Sequence, residues 1–182
     1  MIADITAALL ALDSGGIIAY PTEAVYGLGC DPSNSVALQR ILDIKSREAR
    51  KGFILIAASQ DQLAPFLAPV IPAWQAQLDA AWPGPVTFVL PAASNVSSLL
   101  TGQRDTLAVR VSAHPLVTEL CNAYGGAIVS TSANLSGHPP LNTGSDVEHV
   151  FKGSIDVIID GLVGRLSSPT QIIDARTRQR LR

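Results

Sequence analysis

The sequence predicts an α/β domain with a mixed sheet, and three observations favour this fold class. Short apolar runs typical of strands alternate with segments whose apolar residues recur every three to four positions, as in amphipathic helices. Residues 53–57, Phe-Ile-Leu-Ile-Ala, are apolar without alternation, which is typical of a strand covered on both faces. The chain has 182 residues, 47% of them hydrophobic and 15% charged, so it has the length and the apolar surface of one globular domain.

The first three elements are predicted from the spacing of their apolar residues and from the residues that end each element. Residues 5–12 carry apolar side chains at helical spacing up to a Ser-Gly-Gly sequence, which ends the helix. The apolar run 17–20 then stops at a proline, as a short buried strand does. A second helix is expected to begin at Ser33 or Ser35, either of which can cap it, and to end at Lys45. The chain therefore starts with a helix, a strand and a helix.

The rest of the chain continues this alternation without internal repeats or low-complexity linkers. A polar loop at 46–52 separates the second helix from the strand 53–57, and helices are predicted at 60–67 and 72–81. The same criteria predict the following elements in the second half: strand 85–90, strand 107–111, helix 114–124, strand 127–130, helix 145–151, strand 157–159 and strand 171–174. Intermixed strands and helices indicate one α/β domain over residues 1–182.

Charge and apolar patterning exclude several classes of protein. The 13 Lys and Arg residues against 15 Asp and Glu give a net charge of −2. This balance does not favour a nonspecific nucleic-acid-binding protein, because such binding relies on clustered cations. The longest apolar runs are far shorter than the roughly 20 residues of a membrane span. The N-terminus has no basic residues ahead of an apolar segment, so no secretory signal is predicted and a cytoplasmic location is expected.

The cysteines and histidines give no sign of a metal site or a nucleophile. Cys30 and Cys121 lie far apart beside apolar residues, which is typical of small buried hydrophobic residues rather than of a redox pair. His114 directly precedes Pro115, which favours a position at a helix start over a role as general base. The sequence has no G-x-S-x-G elbow and no C-x-x-C pair. We therefore expect no metal-ligand cluster, and chemistry that depends on positioning and charge neutralisation.

The loop at 20–29 follows the first predicted strand. Substrate groups often bind α/β sheets at such strand ends, and this loop offers hydroxyl groups there. Pro21, Gly27 and Gly29 equally explain the segment as a turn. Its sequence is neither a GxGxxG fingerprint nor a Walker A loop. The loop is thus a candidate site without a defined ligand.

Four cations lie within residues 45–51, between a helix C-terminus and a buried strand. Cations near a helix C-terminus are favoured by the helix dipole, so a solvated loop is one explanation. The other is an anion cradle, in which Lys45 and Arg47 converge on a triphosphate and neutralise the charge that moves at phosphorus. Arginine supplies most of the cations in this chain. This preference for arginine over lysine suits phosphate and carboxylate ligands, and genomic base composition is the alternative explanation.

Polar residues at two further strands extend the candidate site. Residues 130–137, Ser-Thr-Ser-Ala-Asn-Leu-Ser-Gly, place four hydroxyl groups and an amide directly after a strand. Such groups hold a nucleotide or an amino acid by directional hydrogen bonds, or they form local caps. Arg110 interrupts the apolar strand 107–111. A buried arginine needs an anion or a carboxylate partner, unless its strand lies at the sheet edge.

Arginine occupies every second position at the end of the sequence, at Arg176, Arg178, Arg180 and Arg182. On an extended chain this spacing places all four side chains on one face, as a stripe suited to polyphosphate or RNA. A solvated tail is the alternative for three of the four.

Five segments stand out in order along the chain: YPTEAVYGLGCD from residue 20, the Lys45-x-Arg47 loop, WPGPVTFVLP at 82–91, LAVRV with HPL at 107–116, and STSANLSG at 130–137. Together they closely resemble the YrdC-type threonylcarbamoyl-AMP synthases. The resemblance extends over nearly the whole chain, and five ordered segments make it specific. The chain resembles the short, single-domain form that lacks the additional C-terminal domain of longer relatives.

The resemblance implies a fold and an activity. The fold is a YrdC-like open, twisted mixed sheet with flanking helices and a large, basic, concave cavity. Members of the family combine L-threonine, bicarbonate and ATP into L-threonylcarbamoyl-adenylate and diphosphate. The activated group is later placed on N6 of adenosine 37 in tRNA, which implies a downstream threonylcarbamoyl transferase complex as partner.

The resemblance also implies site residues. Lys45 and Arg47 match the basic pair of the family and are the expected catalytic residues. The expected residues for binding threonine and ATP are Thr22, Lys45, Arg47, Arg110, Ser132, Asn134, Thr143, Thr170 and Arg182. Family members often carry proline directly after the Lys-x-Arg arginine, whereas this chain has Glu48, so the rigidity of this loop does not carry over.

The expected mechanism uses ATP as substrate, with Mg²⁺ as its expected companion. Threonine's amine captures carbon dioxide or bicarbonate as a carbamate, whose oxygen attacks the α-phosphorus while pyrophosphate leaves. Both partners are anions, so cations must neutralise their repulsion. Two alternatives stay open at this point: a double-stranded RNA or tRNA-binding module of the same fold, and a carbamoyl-transfer domain, which usually belongs to much longer chains.

Overall fold

The computed structural model of the chain describes residues 2–166 and 170–182. Within these residues nine strands form one sheet, in the order β1-β8-β2-β3-β7-β4-β6-β5-β9. The strands are β1 Ile2–Ala3, β2 Ile18–Pro21, β3 Tyr26–Gly29, β4 Ile54–Ala57, β5 Val86–Pro91, β6 Thr106–Val111, β7 Ile128–Ser132, β8 Val157–Ile159 and β9 Gln171–Asp174. Neighbouring strands are parallel in the pairs β1·β8, β2·β8, β4·β6 and β5·β9 and antiparallel in the others. The predicted α/β class with a mixed sheet is confirmed.

Helices flank this sheet. They are α1 Ile5–Asp13, α2 Ser35–Lys45, α3 Gln60–Leu63, α4 Pro72–Ala81, α5 Ser98–Thr101, α6 Pro115–Tyr124 and α7 Gly144–Phe151, with single 3-10 turns at Ala49–Lys51 and Ala64–Phe66. In the described part of the chain, none of them combines the length and apolar character needed to cross a membrane.

The helices divide unequally between the two faces of the sheet. One face is buried under the larger apolar core, to which α2, α4, α5 and α7 contribute. On the other face α1 and α6 cover only one region, where Ile18, Tyr20, Ile56 and Ile128 are buried. Because side chains alternate between faces along a strand, Ile54 lies on the same face as Ile56. Ile54 is the first residue of β4, and it lines a cavity instead of lying under a helix. The arrangement leaves the Ile54 region of this face open for a site.

Strand β3 lies inside the segment predicted as a loop. It pairs antiparallel with β2 and with β7, in the register Tyr20↔Gly27 and Leu28↔Thr131. A Cβ added to Gly29 would lie 2.5 Å from the Val129 carbonyl oxygen, so the glycine permits close approach of the neighbouring strand. Glycine has a low strand propensity, so the two glycines of β3 prevented the prediction of this strand from the sequence.

Several other boundaries differ from the prediction. The helix expected at 60–67 ends at Leu63 and continues as a 3-10 turn, because Pro65 has no amide hydrogen to donate. Helix α2 is capped by Asn34, whose side chain accepts from the amides of Val36 and Ala37. The short elements β1 and α5 were not predicted.

The arginine stripe predicted for 176–182 is wrong. The chain turns after β9, and Arg178 adopts a left-handed φ of 60°. Ile173 and Arg180 then form an antiparallel bridge. An extended chain would be needed to align all four arginines, and this turn separates them.

Candidate functional site

Two adjoining cavities open on the uncovered part of the sheet. The first, of about 210 Å³, is lined by residues that include Thr22, Arg110 and Ser132, and we call it the Arg110 cavity. The second, of about 410 Å³, is lined by residues that include Arg104, and we call it the Arg104 cavity. Arg47, Ile54 and Arg182 line both cavities. These shared residues make the two cavities one candidate site.

Arg110 lies in the middle of the sheet and is 4% exposed, so the alternative of a strand at the sheet edge is excluded. Its guanidinium donates to the carboxylate of Glu23. The carboxylate also accepts from the Ser112 hydroxyl at 2.6 Å and from the Ala113 amide at 3.3 Å. Burial raises the pKa of Glu23, but the Arg110 charge and the Ser112 hydrogen bond outweigh burial and hold it below its usual value. Arg110 therefore has the carboxylate partner that its burial requires.

Arg47 lies in the loop after α2. Its Nη2 donates to the Gly52 carbonyl at 2.9 Å, and its guanidinium carbon lies 5.8 Å from the centre of the Phe53 ring. Burial and the charge of Arg182 lower the pKa of Arg47. Within the described part of the chain, the buried Nε atoms of Arg47 and Arg110 have no hydrogen-bond partner. The guanidinium groups of both arginines line a cavity, and such groups suit an anionic ligand.

Lys45 does not converge with Arg47 on a cavity as predicted. Its side chain is 2% exposed, and its Nζ donates to the carbonyls of Ser132 and Asn134, the latter at 2.6 Å. The Ser132 hydroxyl donates to the Asn134 side-chain oxygen at 2.6 Å, which closes this network. Burial and the nearby Arg47 charge lower the pKa of Lys45 to about 7. The structure thus assigns Lys45 to holding the Ser132–Asn134 loop, and its predicted catalytic role stays a prediction.

Three more predicted residues line the Arg110 cavity: Thr22, Thr170 and Arg182. The Thr22 hydroxyl donates to the Val25 carbonyl at 2.7 Å and so closes the turn between β2 and β3. The guanidinium of Arg182 donates to the Thr170 carbonyl through Nε and Nη2. Burial and the charge of Arg110 lower the pKa of Arg182. Arg182 thus joins Arg47 and Arg110 in one field of positive charge.

Thr143 caps helix α7 and is exposed. Its hydroxyl donates to the Asp146 carboxylate at 2.6 Å and accepts from the Asp146 amide at 3.1 Å. Replacing Thr143 by valine keeps the shape of the side chain and removes the cap. We expect this change to lower the free energy of unfolding by about 1 kcal/mol in urea titrations. An unchanged free energy would show that the cap does not stabilise α7, and the threonine KM of the same variant tests the ligand role implied by the resemblance.

Charge is uneven across the two cavities. Arg47, Arg104 and Arg182 donate to backbone carbonyls, whereas Arg110 and Arg176 pair with carboxylates. A chain with a net charge of −2 thus has a basic site. Among residues 2–166 and 170–182, no group of three His, Cys, Asp or Glu is placed to hold a metal ion.

Sequence reasoning missed Glu23, Ser112 and Arg104. Glu23 lies in the first motif, and the one available signal was that a buried Arg110 requires a carboxylate. Ser112 and Arg104 flank β6 and carry no motif of their own. The predicted burial of Cys30 and Cys121 is confirmed.

Comparisons with known proteins identify the family of this chain. The family model of the Sua5/YciO/YrdC domain, described as "Telomere recombination", matches residues 10–182. The chain belongs to the Sua5/YciO/YrdC family. The resemblance found in the sequence is therefore confirmed for the family.

Named relatives of this family are similar along most of the chain. The threonylcarbamoyl-AMP synthase of Nitrosococcus oceani is 52% identical over 168 residues, which is 92% of this chain and 91% of that protein. The protein of the same name from Halorhodospira halophila is 50% identical over 171 residues, which is 94% of this chain and 90% of that protein.

Solved structures of the family share the fold. P. abyssi Sua5 complexed with L-threonine superposes with a TM-score of 0.88 at 35% identity over 93% of this chain. The chain spans about half of that Sua5 chain, 50% of its length. E. coli YciO superposes with a TM-score of 0.81 at 28% identity, over 93% of this chain and 82% of that chain. The open mixed sheet is thus the fold of the Sua5 and YciO structures.

Proposed function

We infer that the chain is a threonylcarbamoyl-AMP synthase. It combines L-threonine, bicarbonate and ATP into L-threonylcarbamoyl-adenylate and diphosphate, for the modification of adenosine 37 in tRNA. Relatives of this name are about 50% identical over more than nine tenths of the chain. The observation that carries the inference is the charge of the site: Arg47 and Arg182, bound to carbonyls, lie at the boundary between the two cavities.

We propose that threonine binds in the Arg110 cavity and the triphosphate of ATP in the Arg104 cavity. Hydroxyls and a carboxylate-paired arginine suit a zwitterion that carries a hydroxyl group, which supports the first placement. The described residues that line the Arg104 cavity include five cations against one carboxylate, Asp174, and this excess of positive charge suits a polyphosphate, which supports the second placement. The Sua5 structure with L-threonine supports threonine as a ligand of this fold.

The proposed reaction needs no side-chain nucleophile. The ammonium group of the threonine zwitterion first loses a proton to give the free amine. The amine then takes up carbon dioxide with release of a proton, or bicarbonate with loss of water, as a carbamate. A carbamate oxygen then forms a bond to the α-phosphorus, and the bond to the pyrophosphate oxygen breaks. Arg47 and Arg182 lie where the two anionic substrates meet, so they reduce the repulsion and stabilise charge moving to pyrophosphate.

A resident Mg²⁺ does not fit the donor set of the residues that the structure describes. Of the nearby carboxylates, Glu23 is bound by Arg110 and Ser112, and Asp174 is bound by Arg176. We therefore treat magnesium as a companion of the substrate ATP and derive no step through it. We propose a cytoplasmic location and transfer of the labile product to a downstream threonylcarbamoyl transferase complex.

Pyrophosphate release from ATP tests the function directly. We expect the purified protein to release pyrophosphate only when both L-threonine and bicarbonate are present. Each single omission serves as a control, and release without threonine would contradict the synthase. A folded protein that releases no pyrophosphate but binds tRNA would favour the RNA-binding alternative.

A further inference from the structure

The chain that follows β8 packs against the turn that carries Thr22. We call residues 161–166 of this chain the strap. The amide of Gly164 donates to the Thr22 carbonyl at 2.8 Å, and the amide of Leu166 donates to the Glu23 carbonyl at 3.1 Å. The backbone of the turn is therefore held by hydrogen bonds from the strap.

Gly164 allows the strap to lie directly on the backbone of the turn. A Cβ added to Gly164 would lie 2.5 Å from the carbonyl oxygen of Glu23 and 2.8 Å from its Cα. The φ of Gly164 is not left-handed, so lack of space rather than backbone conformation requires glycine at this position. Any side chain here would push the strap and the turn apart.

Two side chains hold the strap close to its beginning. The hydroxyl of Tyr26 donates to the Gly161 carbonyl at 2.9 Å and accepts from the Gly161 amide at 3.1 Å. The Nε2 atom of His114 lies 3.2 Å from the Leu162 carbonyl oxygen. A carbonyl oxygen can only accept, so Nε2 of His114 is the donor. His114 thus fixes the strap from the start of helix α6, where its side chain forms no cap of the helix.

The turn under the strap belongs to one of the two cavities. Thr22 lines the Arg110 cavity, and the carboxylate of Glu23 holds Arg110, which lines the same cavity. The described residues that line the Arg104 cavity include none of the segment 22–26. A shift of the turn would therefore change the Arg110 cavity and leave the Arg104 cavity as it is.

We propose that Gly164 and His114 are positioning residues for the amino-acid substrate. They hold the strap against the turn, and the strap keeps Thr22 and Arg110 in place for threonine. This inference rests on the proposed function, with threonine in the Arg110 cavity, and adds to it two residues that act through others. A strap that only covered the turn would affect stability, whereas a strap that positions the turn affects threonine binding selectively.

Replacing Gly164 by alanine tests the contact between strap and turn. The added methyl group would meet the Glu23 backbone. We expect the KM for L-threonine in pyrophosphate release to rise about tenfold or more, because small displacements of positioning groups have large effects. The KM for ATP should stay within about twofold of that of the unchanged protein, since the turn does not line the Arg104 cavity.

The matched control is Gly126→Ala. A Cβ at Gly126 would lie 3.9 Å from carbons of the Tyr124 ring, which is an ordinary contact. Gly126 lines neither cavity, so this variant should keep both KM values.

His114 provides a second pair of variants. His114→Phe keeps a ring but removes the donor to the Leu162 carbonyl, and we expect it to raise the threonine KM about threefold or more. His114→Gln keeps an N–H donor at a similar distance from the backbone and should restore the KM.

A folded Gly164→Ala variant with an unchanged threonine KM would overturn the proposal. So would equal increases in both KM values, or a lower kcat with both KM values unchanged, because these results indicate a general structural effect. Should Gly164→Ala not fold, the His114 variants decide. A raised threonine KM in His114→Phe that His114→Gln restores supports the proposal, and no increase in His114→Phe or no recovery in His114→Gln overturns it.

Threonine-dependent pyrophosphate release by the unchanged protein tests the proposed function separately. A folded but inactive unchanged protein contradicts that function. An active unchanged protein whose threonine KM is the same in Gly164→Ala contradicts this inference alone.

Discussion

Arg47→Ala should lower kcat/KM for threonine-dependent pyrophosphate release by about 100-fold or more. Arg47 lines both cavities and donates to the Gly52 carbonyl, and among residues 2–166 and 170–182 its buried Nε has no partner. The guanidinium of Arg47 can therefore stabilise the negative charge that develops as pyrophosphate leaves. Removing one such group typically lowers the rate by about 100-fold or more. Initial rates of pyrophosphate release with all three substrates measure the effect.

Stability should change little in the same variant. Burial and the charge of Arg182 both disfavour the charged form of Arg47, so its removal relieves a repulsion while losing one hydrogen bond. We expect the free energy of unfolding to shift by no more than about 1 kcal/mol. Arg47→Lys keeps the charge without the planar fork and should recover part of the activity.

The matched control is Arg50→Ala. Arg50 lies in the same basic loop, but its side chain is 79% exposed and pairs with Glu48. An exposed ion pair of this kind contributes little, so this variant should keep its activity. Equal losses in Arg47→Ala and Arg50→Ala would indicate a general effect of loop charge and would contradict a specific role of Arg47.

The sequence was sufficient for much of the fold because local patterns decide it. The apolar run 53–57 has no polar residue to place outward, so a strand buried on both faces was predictable. Strand β4 is buried in this way from Leu55 to Ala57, whereas Ile54 lines the cavities. Helix α2 was predictable from its apolar period up to Lys45. Strand β3 was not predictable, since it contains two glycines, of which Gly29 permits the close approach of β7.

The candidate site was predictable in its residue types but not in their contacts. Arg110 required a carboxylate, yet its partner Glu23 lies 87 residues away in the chain. Long-range pairing of this kind is set by the strand order, which periodicity does not reveal. Lys45 and Arg47 lie two positions apart in the sequence and looked alike, but their side chains diverge. Arg47 lines the cavities, whereas the ammonium of Lys45 donates to the carbonyls of the Ser132–Asn134 loop.

Lys45→Met should therefore impair the enzyme through the Ser132–Asn134 loop. Methionine has a similar length but no donor, so the carbonyls of Ser132 and Asn134 lose their buried partner. We expect kcat/KM for pyrophosphate release to fall at least tenfold because the loop beside the Arg110 cavity loosens. If Lys45 acts through this loop, Lys45→Met and Asn134→Ala are coupled, and the double variant is no worse than the more impaired single variant. Fully additive losses would instead point to independent action of Lys45 on the substrates.

The same variant should also change how stability depends on pH. Burial lowers the pKa of Lys45 from 10.5 to about 7 in the folded protein. Between these values the unfolded chain binds a proton that the folded protein does not, so stability rises with pH. Below about pH 7 the Lys45 amine is protonated in both states, so the increase in stability with pH that it contributes in the unchanged protein is lost. Relative to Lys45→Met, the unchanged protein should thus gain free energy of unfolding with increasing pH, by up to about 1.4 kcal/mol per pH unit.

Urea titrations of both proteins at about pH 6.5 and about pH 9.5 measure this gain, since the titration of all other groups is common to the two and cancels in the difference. We expect the difference between the two proteins to be larger at the higher pH by at least about 2 kcal/mol. The same difference at both values would mean that the amine keeps its proton throughout. The carbonyl acceptors of the loop would then stabilise the ammonium more than burial disfavours it, and Lys45 would be a permanent charge beside Arg47 rather than a group that titrates near neutral pH.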